Sequence, residues 1–316
     1  MYAKNGTRPQ MKNFDSIVIL VPTASGKTKL AVEIAYLISS EIISIDSRMV
    51  YKKLNIGTGK DLGEYCFENK SIPYHLIDVC EPNESYHIYQ FQQDFKIAFN
   101  QILEAKKTPI LCGGSGLYLE AVIKDFIYTG IPVNPLLRAQ LEMFSLTQLQ
   151  EQFLLLPENS FKKKADLESK KRTIRAHEIA HFLLNNSDFL LPEPKPLEPF
   201  IIGLNPTVDL RRENIIKRLH ARMDEGLIEE VSCLLKSGVS FEKLLSLGLE
   251  YKFVCEFLMG KYNKQKMIEL LGIAIQQFAK RQMTYFRKME KSGLKINWVC
   301  NHDEALILLK NKKFIV

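Results

Sequence analysis

Several absences narrow the class of this chain before any motif is considered. Its six cysteines (Cys66, Cys80, Cys112, Cys233, Cys255 and Cys300) stand singly, with no C-x-x-C pair. That spacing argues against a zinc site and a disulfide framework, and for reduced thiols in a cytoplasmic protein. No apolar run is long enough to span a bilayer, and the polar segment MYAKNGTRPQMKNF has no signal-peptide core. No internal repeat is visible, and no low-complexity tract beyond one proline cluster. An acidic excess is also missing: 43 Lys and Arg against 36 Asp and Glu leave a net charge of +7, a mild bias toward a polyanionic partner. With 46% hydrophobic and 25% charged residues over 316 positions, one or two globular domains with a sizeable core are expected.

The organising stretch is IVILVPTASGKTKL, residues 17–30. Residues 17–21 read as a buried strand, Pro22-Thr23-Ala24-Ser25-Gly26 as a small-residue turn, and Lys27 as the start of an amphipathic helix. Strand, turn and helix with Gly26-Lys27-Thr28 at the entrance is the pattern of a phosphate-cradling loop. First-turn N–H groups, the helix dipole and the Lys27 ammonium all favour an anion there. The Thr28 hydroxyl is placed to ligate Mg2+ bridging phosphate oxygens. Val21 stands where the loop pattern has Gly.

Residues 41–46 form a second expected strand ending on Asp46, so the first unit is βαβ and the sheet parallel. Further strands are expected over 74–78, 108–112 and 200–204, with a helix over 86–106. Between 131 and 197 the alternation stops. Asn134-Pro135 reads as a helix start, and a helical, lysine-rich stretch runs to about 185 before prolines 192, 194, 196 and 199 stiffen the chain. The rest is expected to be long helices. The fold class is therefore α/β, a P-loop NTPase-like parallel sheet core over 1–130 and 198–316 with C-terminal helices and an inserted helical domain over 131–197. In the last helix, Ile268, Leu271, Ile275, Phe278, Gln282, Tyr285 and Met289 follow the spacing of a buried stripe. Lys280, Arg281, Arg287, Lys288 and Lys291 lie off it.

In parallel sheets the chemistry gathers at the carboxyl ends of strands, which puts Asp46 beside the phosphate loop. Its carboxylate has two sensible roles there: holding Mg2+ through water, or acting as a general base on an acceptor. The turn Gly113-Gly114-Ser115-Gly116 lets backbone approach a ligand closely, and Ser115 can hydrogen-bond a phosphate or an acceptor amine. His75, Asp78 and His177 read as structural. The strand before the glycine turn ends without the Asp that nucleotide hydrolysis uses to hold magnesium, and no base-specifying motif is present. Such a loop suits a diphosphate ester that loses its diphosphate as a leaving group.

The motifs V-P-T-A-S-G-K-T (21–28), I-I-S-I-D-S (42–47), I-G-T-G-K (56–60), H-L-I-D (75–78) and G-G-S-G-L-Y (113–118) occur in the order found in tRNA dimethylallyltransferases. So do R-T-I-R-A-H-E (172–178), G-L-I-E-E-V (226–231), L-G-L-E-Y-K (247–252) and Q-F-A-K-R-Q-M-T-Y-F-R (277–287). The chain resembles that family over nearly its whole length. The resemblance implies transfer of a dimethylallyl group from dimethylallyl diphosphate to N6 of the adenosine beside the anticodon, with Mg2+. It also implies that Thr23, Ala24, Ser25, Gly26, Lys27 and Thr28 cradle the diphosphate and that Arg281 clamps it as it leaves. Asp46 would take the proton from N6, with Ser115, where the family usually has Thr, near the acceptor. Asp46, Ser47, Arg48, Met49, Ser115, Arg138, Lys171, Arg172 and Arg175 would contact tRNA through its anticodon loop, and the chain is expected to act as a monomer away from membranes. A kinase of the same fold and an RNA-binding protein with an idle phosphate loop are the rival readings.

Overall fold

The computed structural model describes residues 14–24 and 26–315, so residues 1–13, Ser25 and Val316 lie outside the described residues. Phe126–Lys195 make one compact unit, and the described residues on either side of it make the other.

The larger unit is built on β1 (Ser16–Leu20), whose five residues are all buried. Alternation sends them to two cores. Ile17 and Ile19 pack with Leu30, Ala31 and Ile34 of α1 (Lys27–Leu37) on one face. Val18 and Leu20 pack on the other with Phe91 and Phe95. Burial on both faces is the signature of a parallel, helix-covered strand. After α1 come β2 (Ile42–Ser44), the antiparallel pair β3 (Cys66–Phe67) and β4 (Lys70–Ser71), and then β5 (Tyr74–His75). The chain continues through α2 (Ile88–Glu104), β6 (Ile110–Gly113) and α3 (Gly116–Ile123). Following the insert, β7 (Pro199–Leu204) re-enters the sheet, and with β8 (Ile296–Val299) at its edge the strand order is β5-β2-β6-β1-β7-β8, every pairing parallel.

Two sequence expectations need correction here. The strand over 74–78 stops at His75, because Leu76 and Asp78 adopt left-handed backbone (φ +62° and +56°) that no strand accommodates. The C-terminal part is not helical throughout: the edge strand β8 (Ile296–Val299) pairs with β7. Only two of its four residues are buried, too short and weak a pattern to read from INWV alone.

The insert holds α4 (Pro135–Leu141), α5 (Leu146–Leu155) and α6 (Lys170–Asn185). Asn134 caps α4 by accepting the Leu137 N–H at 3.0 Å, with Pro135 at the first helical position. Between α5 and α6 the chain is irregular apart from one 3-10 turn, Lys162–Lys164, so the expected continuous helicity breaks there. Ile131, Phe153, Phe161, Ile179 and Ala180 form a core belonging to this unit.

In the larger unit α7 (Val208–Asp224), α8 (Leu227–Lys236), α9 (Phe241–Ser246), α10 (Leu249–Leu258) and α11 (Lys264–Lys291) pack around Leu219, Leu227, Tyr251 and Leu271. α12 (His302–Asn311) closes the chain onto β7 and β8. The buried stripe of α11 runs through Met267, Leu271, Ile275, Ala279, Gln282, Met283, Phe286 and Met289. Phe278, expected inside, is 41% exposed. No helix among the described residues is long and apolar enough to cross a membrane.

Candidate active site

α1 begins immediately after the loop from β1. Gly26 occupies its N-cap with left-handed backbone (φ +74°), and no side chain among the described residues accepts the first-turn N–H groups. A helix N-terminus left without a protein acceptor is suited to an anion. Ala24 is also left-handed (φ +63°). Lys27 is half-buried and forms no ion pair with any described residue, while Thr28 is 8% exposed. Cys112 lies beneath: its thiol donates to the Lys27 carbonyl at 3.7 Å, and burial pushes its pKa up to about 12. It is an inert packing group.

Two residues that the sequence reading did not assign to the loop hold it in place. The Thr23 N–H donates to Gln282 Oε1 at 2.9 Å, and Gln282 Nε2 donates to the Gly114 carbonyl at 2.8 Å. One buried amide on α11 therefore ties the phosphate loop to the glycine turn. The Arg218 guanidinium on α7 donates to Thr23 Oγ1. Burial and the neighbouring Arg222 push Arg218 down to about 10, against the pull of Glu250, Asp46 and Glu64. A half-buried cation aimed at a phosphate loop, with no carboxylate in contact among the described residues, is poised for an anionic ligand. Arg281 lies on the exposed side of α11 and forms no ion pair with a described residue.

The sheet explains why Asp46 and Ser115 join this site. β6 lies between β1 and β2, with Leu20 opposite Gly113 and Ser44 opposite Cys112. The loops leaving β1, β6 and β2 therefore emerge side by side across two strand spacings, about 10 Å. Ser115 Oγ accepts the Ser47 N–H at 3.1 Å, and Asp46 Oδ1 accepts the Arg48 N–H at 2.9 Å. The glycines permit this closeness. A Cβ on Gly113 would lie 2.1 Å from the Ile45 carbonyl oxygen, and one on Gly116 would lie 2.3 Å from the Tyr285 ring. Asp46, Ser47 and Arg48 are half-buried at the edge of the site, but Met49 is 3% exposed and packs into the core. Its side chain is not presented to a partner.

Residues 55–60 form a scaffold loop. Glu230 on α8 accepts the N–H groups of Asn55 (2.9 Å), Ile56 (2.8 Å) and Gly57 (3.1 Å), and the Tyr251 hydroxyl at 2.8 Å. Arg222 pairs with Glu250 at 2.8 Å. The motifs around 226–231 and 247–252 are thereby explained as supports. The His75 ring meets Glu41 at 2.8 Å, at the far side of β2 from α1's entrance.

Within the insert, the R-T-I-R-A-H-E segment is turned largely inward. The Glu178 carboxylate, fully buried, is gripped by Arg138 (2.8 and 3.1 Å) and by Arg175 (3.2 Å). Arg175 also donates to the Ile131 carbonyl at 2.6 Å. Arg172 pairs with Asp166 and Glu168. Lys162 caps the carbonyls of Leu154 and Leu156, whereas Lys171 is exposed and forms no ion pair with a described residue. His177 donates its Nε2–H to the Leu149 carbonyl (2.8 Å), a packing role inside the insert.

The residues present fit a hard divalent cation. No group of three His, Cys, Asp or Glu side chains able to hold a metal occurs among the described residues. The nearby donors are the Thr28 hydroxyl and the Asp46 carboxylate, an oxygen set that suits Mg2+ completed by water and diphosphate oxygens.

The sequence matches the IPP transferase family over residues 49–289. It is 45% identical to tRNA dimethylallyltransferase 2 of Phocaeicola vulgatus over 92% of this chain and 93% of that one. It is 47% identical to tRNA dimethylallyltransferase 2 of Porphyromonas gingivalis over 90% and 93%. Among solved structures, the full-length tRNA isopentenylpyrophosphate transferase of Bacillus halodurans superposes with a TM-score of 0.68 at 28% identity, covering 95% of this chain and 97% of that one. A eukaryotic dimethylallyltransferase acting on tRNA shares the fold (TM-score 0.73, 18% identity, 94% and 79% covered). A phosphate loop, a strand-end carboxylate and a glycine turn on one parallel sheet, together with these similarities, establish that the chain belongs to the IPP transferase family, the tRNA dimethylallyltransferases.

Proposed function

We propose that this chain transfers the dimethylallyl group of dimethylallyl diphosphate to N6 of adenosine 37 in tRNA, using the residues gathered at the ends of β1, β6 and β2. The first-turn amides of α1, Thr23, Ala24, Ser25, Gly26, Lys27 and Arg218 bind the diphosphate, and Arg281 adds charge to the departing group. Mg2+ held by Thr28, with Asp46 near, would neutralise charge on the diphosphate oxygens when bound. N6 attacks the allylic carbon as its bond to the diphosphate oxygen breaks, and the Asp46 carboxylate accepts the N6 proton. Ser115 orients the acceptor through its hydroxyl, and Ser47 and Arg48 meet the RNA beside it. The base must leave its stack to reach this pocket. Lys171 and Arg172, exposed on the insert, meet the RNA backbone, by charge more than by sequence, while Arg138 and Arg175 hold the insert together through Glu178.

The observation that carries the reading is the row formed by Lys27, Ser115 and Asp46 on adjacent strand ends, with no hydrolytic Asp closing β6. A single-turnover assay with labelled dimethylallyl diphosphate and unmodified tRNA tests it. Asp46→Ala should slow transfer by about 100-fold or more while diphosphate binding persists. An unchanged rate would remove Asp46 as base, and turnover of ATP in place of prenyl transfer would favour a kinase.

A further inference from the structure

The motifs at 56–60 and 75–78 are not consumed by substrate binding, yet they meet at one ion pair, between a buried Lys60 and a half-buried Asp78. The Lys60 side chain has 0% exposure, which for an ammonium is costly unless it is fully engaged. It donates to Asp78 Oδ1, to the Tyr51 carbonyl at 2.7 Å and to Asn55 Oδ1 at 3.4 Å. Asp78 in turn donates its N–H to the Met49 carbonyl at 3.1 Å. Its left-handed backbone, and that of Leu76 just before it, are what bend the chain after β5 to deliver both groups. Backbone of this kind in two non-glycine residues persists only where surrounding contacts over-determine it. On the other side, Asn55 is fixed by Glu230, so the ammonium is joined to α8 through one side chain and one loop.

What Lys60 and Asp78 hold is the far end of the turn that carries Asp46. The near end is tied by Ser115 to the Ser47 N–H, and the far end by Met49 and Tyr51 to this ion pair. We propose that Lys60 and Asp78 are positioning residues for Asp46, fixing the turn from its exit so that the carboxylate stays aligned with the acceptor amine. This rests on the reading of Asp46 as the base. Neither residue touches substrate. They act by restricting the turn, a contribution that belongs to alignment in the transfer step and not to affinity for the diphosphate.

The experiment compares Lys60→Met and the charge-neutral pair Lys60→Met/Asp78→Asn, each in the natural and the Asp46→Ala background. Folded sites are counted by titration with non-transferable dimethylallyl thiodiphosphate, and single-turnover transfer to unmodified tRNA is then measured per folded site. Both variants should bind the thiodiphosphate within about twofold of the natural chain yet transfer about 10- to 100-fold more slowly. In the Asp46→Ala background they should cause little further loss, because the group they align is gone. A natural transfer rate in the folded variants, an equal loss in both backgrounds, or a loss that follows thiodiphosphate affinity would each overturn the proposal. Asp46→Ala by itself judges the base assignment: if it transfers normally, that reading fails whatever Lys60 does.

Discussion

Gln282 accepts the Thr23 N–H at 2.9 Å while donating to the Gly114 carbonyl at 2.8 Å, so a side chain on α11 latches two loops that leave different strands. Its amide serves both because it offers an acceptor and a donor on one plane. Gln282→Leu should lower unfolding free energy by about 1–3 kcal/mol, since a buried N–H and a carbonyl both lose their partners. Diphosphate affinity should fall with it. Urea unfolding together with a titration of dimethylallyl thiodiphosphate checks both.

Arg218 makes a sharper prediction. Its charge sits at the phosphate loop against a desolvation penalty that an anion would relieve. Arg218→Gln should weaken diphosphate binding by about 10- to 100-fold, the worth of a charge-assisted contact of about 1.5–3 kcal/mol. The protein itself should become no less stable. Isothermal titration measures the first and thermal melting the second.

Gly113 is tested by size. Alanine there would place a Cβ 2.1 Å from the Ile45 carbonyl oxygen, which is backbone and cannot swing aside. Gly113→Ala should cost about 3 kcal/mol or more and abolish transfer by forcing β6 and the Asp46 strand apart. Denaturant unfolding and the transfer assay read the two effects.

Glu41 sets an acid limb. Burial alone would raise its pKa, but hydrogen bonds from Lys107 (2.6 Å) and His75 (2.8 Å) outweigh it and hold the carboxyl below its usual value. A carboxyl lowered on folding stabilises the protein above its unfolded pKa, and that contribution is lost as pH falls through the lowered one. Glu41→Gln should therefore cost about 1 kcal/mol at neutral pH and nothing once the carboxyl is protonated in both states. Unfolding free energies across acid pH would show the two curves converging.

Much of this site was legible in residue order alone. Periodicity and the break at Pro22 marked β1 and α1, and Asp46 and Ser115 fell at strand ends because parallel sheets place their loops together. What stayed hidden depends on tertiary contact. Gln282 and Arg218 sit in helices whose spacing marks burial or solvent but does not reveal that one side chain reaches a loop more than 190 residues earlier. Arg138 and Arg175 look like free cations in the sequence, yet a buried Glu178 claims both. Met49 follows three half-exposed residues but turns inward, where Ser44 Oγ donates to its sulfur at 3.7 Å.

The Leu197 N–H donates to the Ile123 carbonyl at 2.8 Å, so the chain re-enters the larger unit beside the place where it left. An excursion that begins and ends at one doorstep leaves the sheet's connectivity untouched whatever its length. The loop-closure cost of joining those two positions grows only with the logarithm of what lies between them. The helical segment can therefore be lengthened, trimmed or exchanged at little cost to the sheet that gathers the loops of the site.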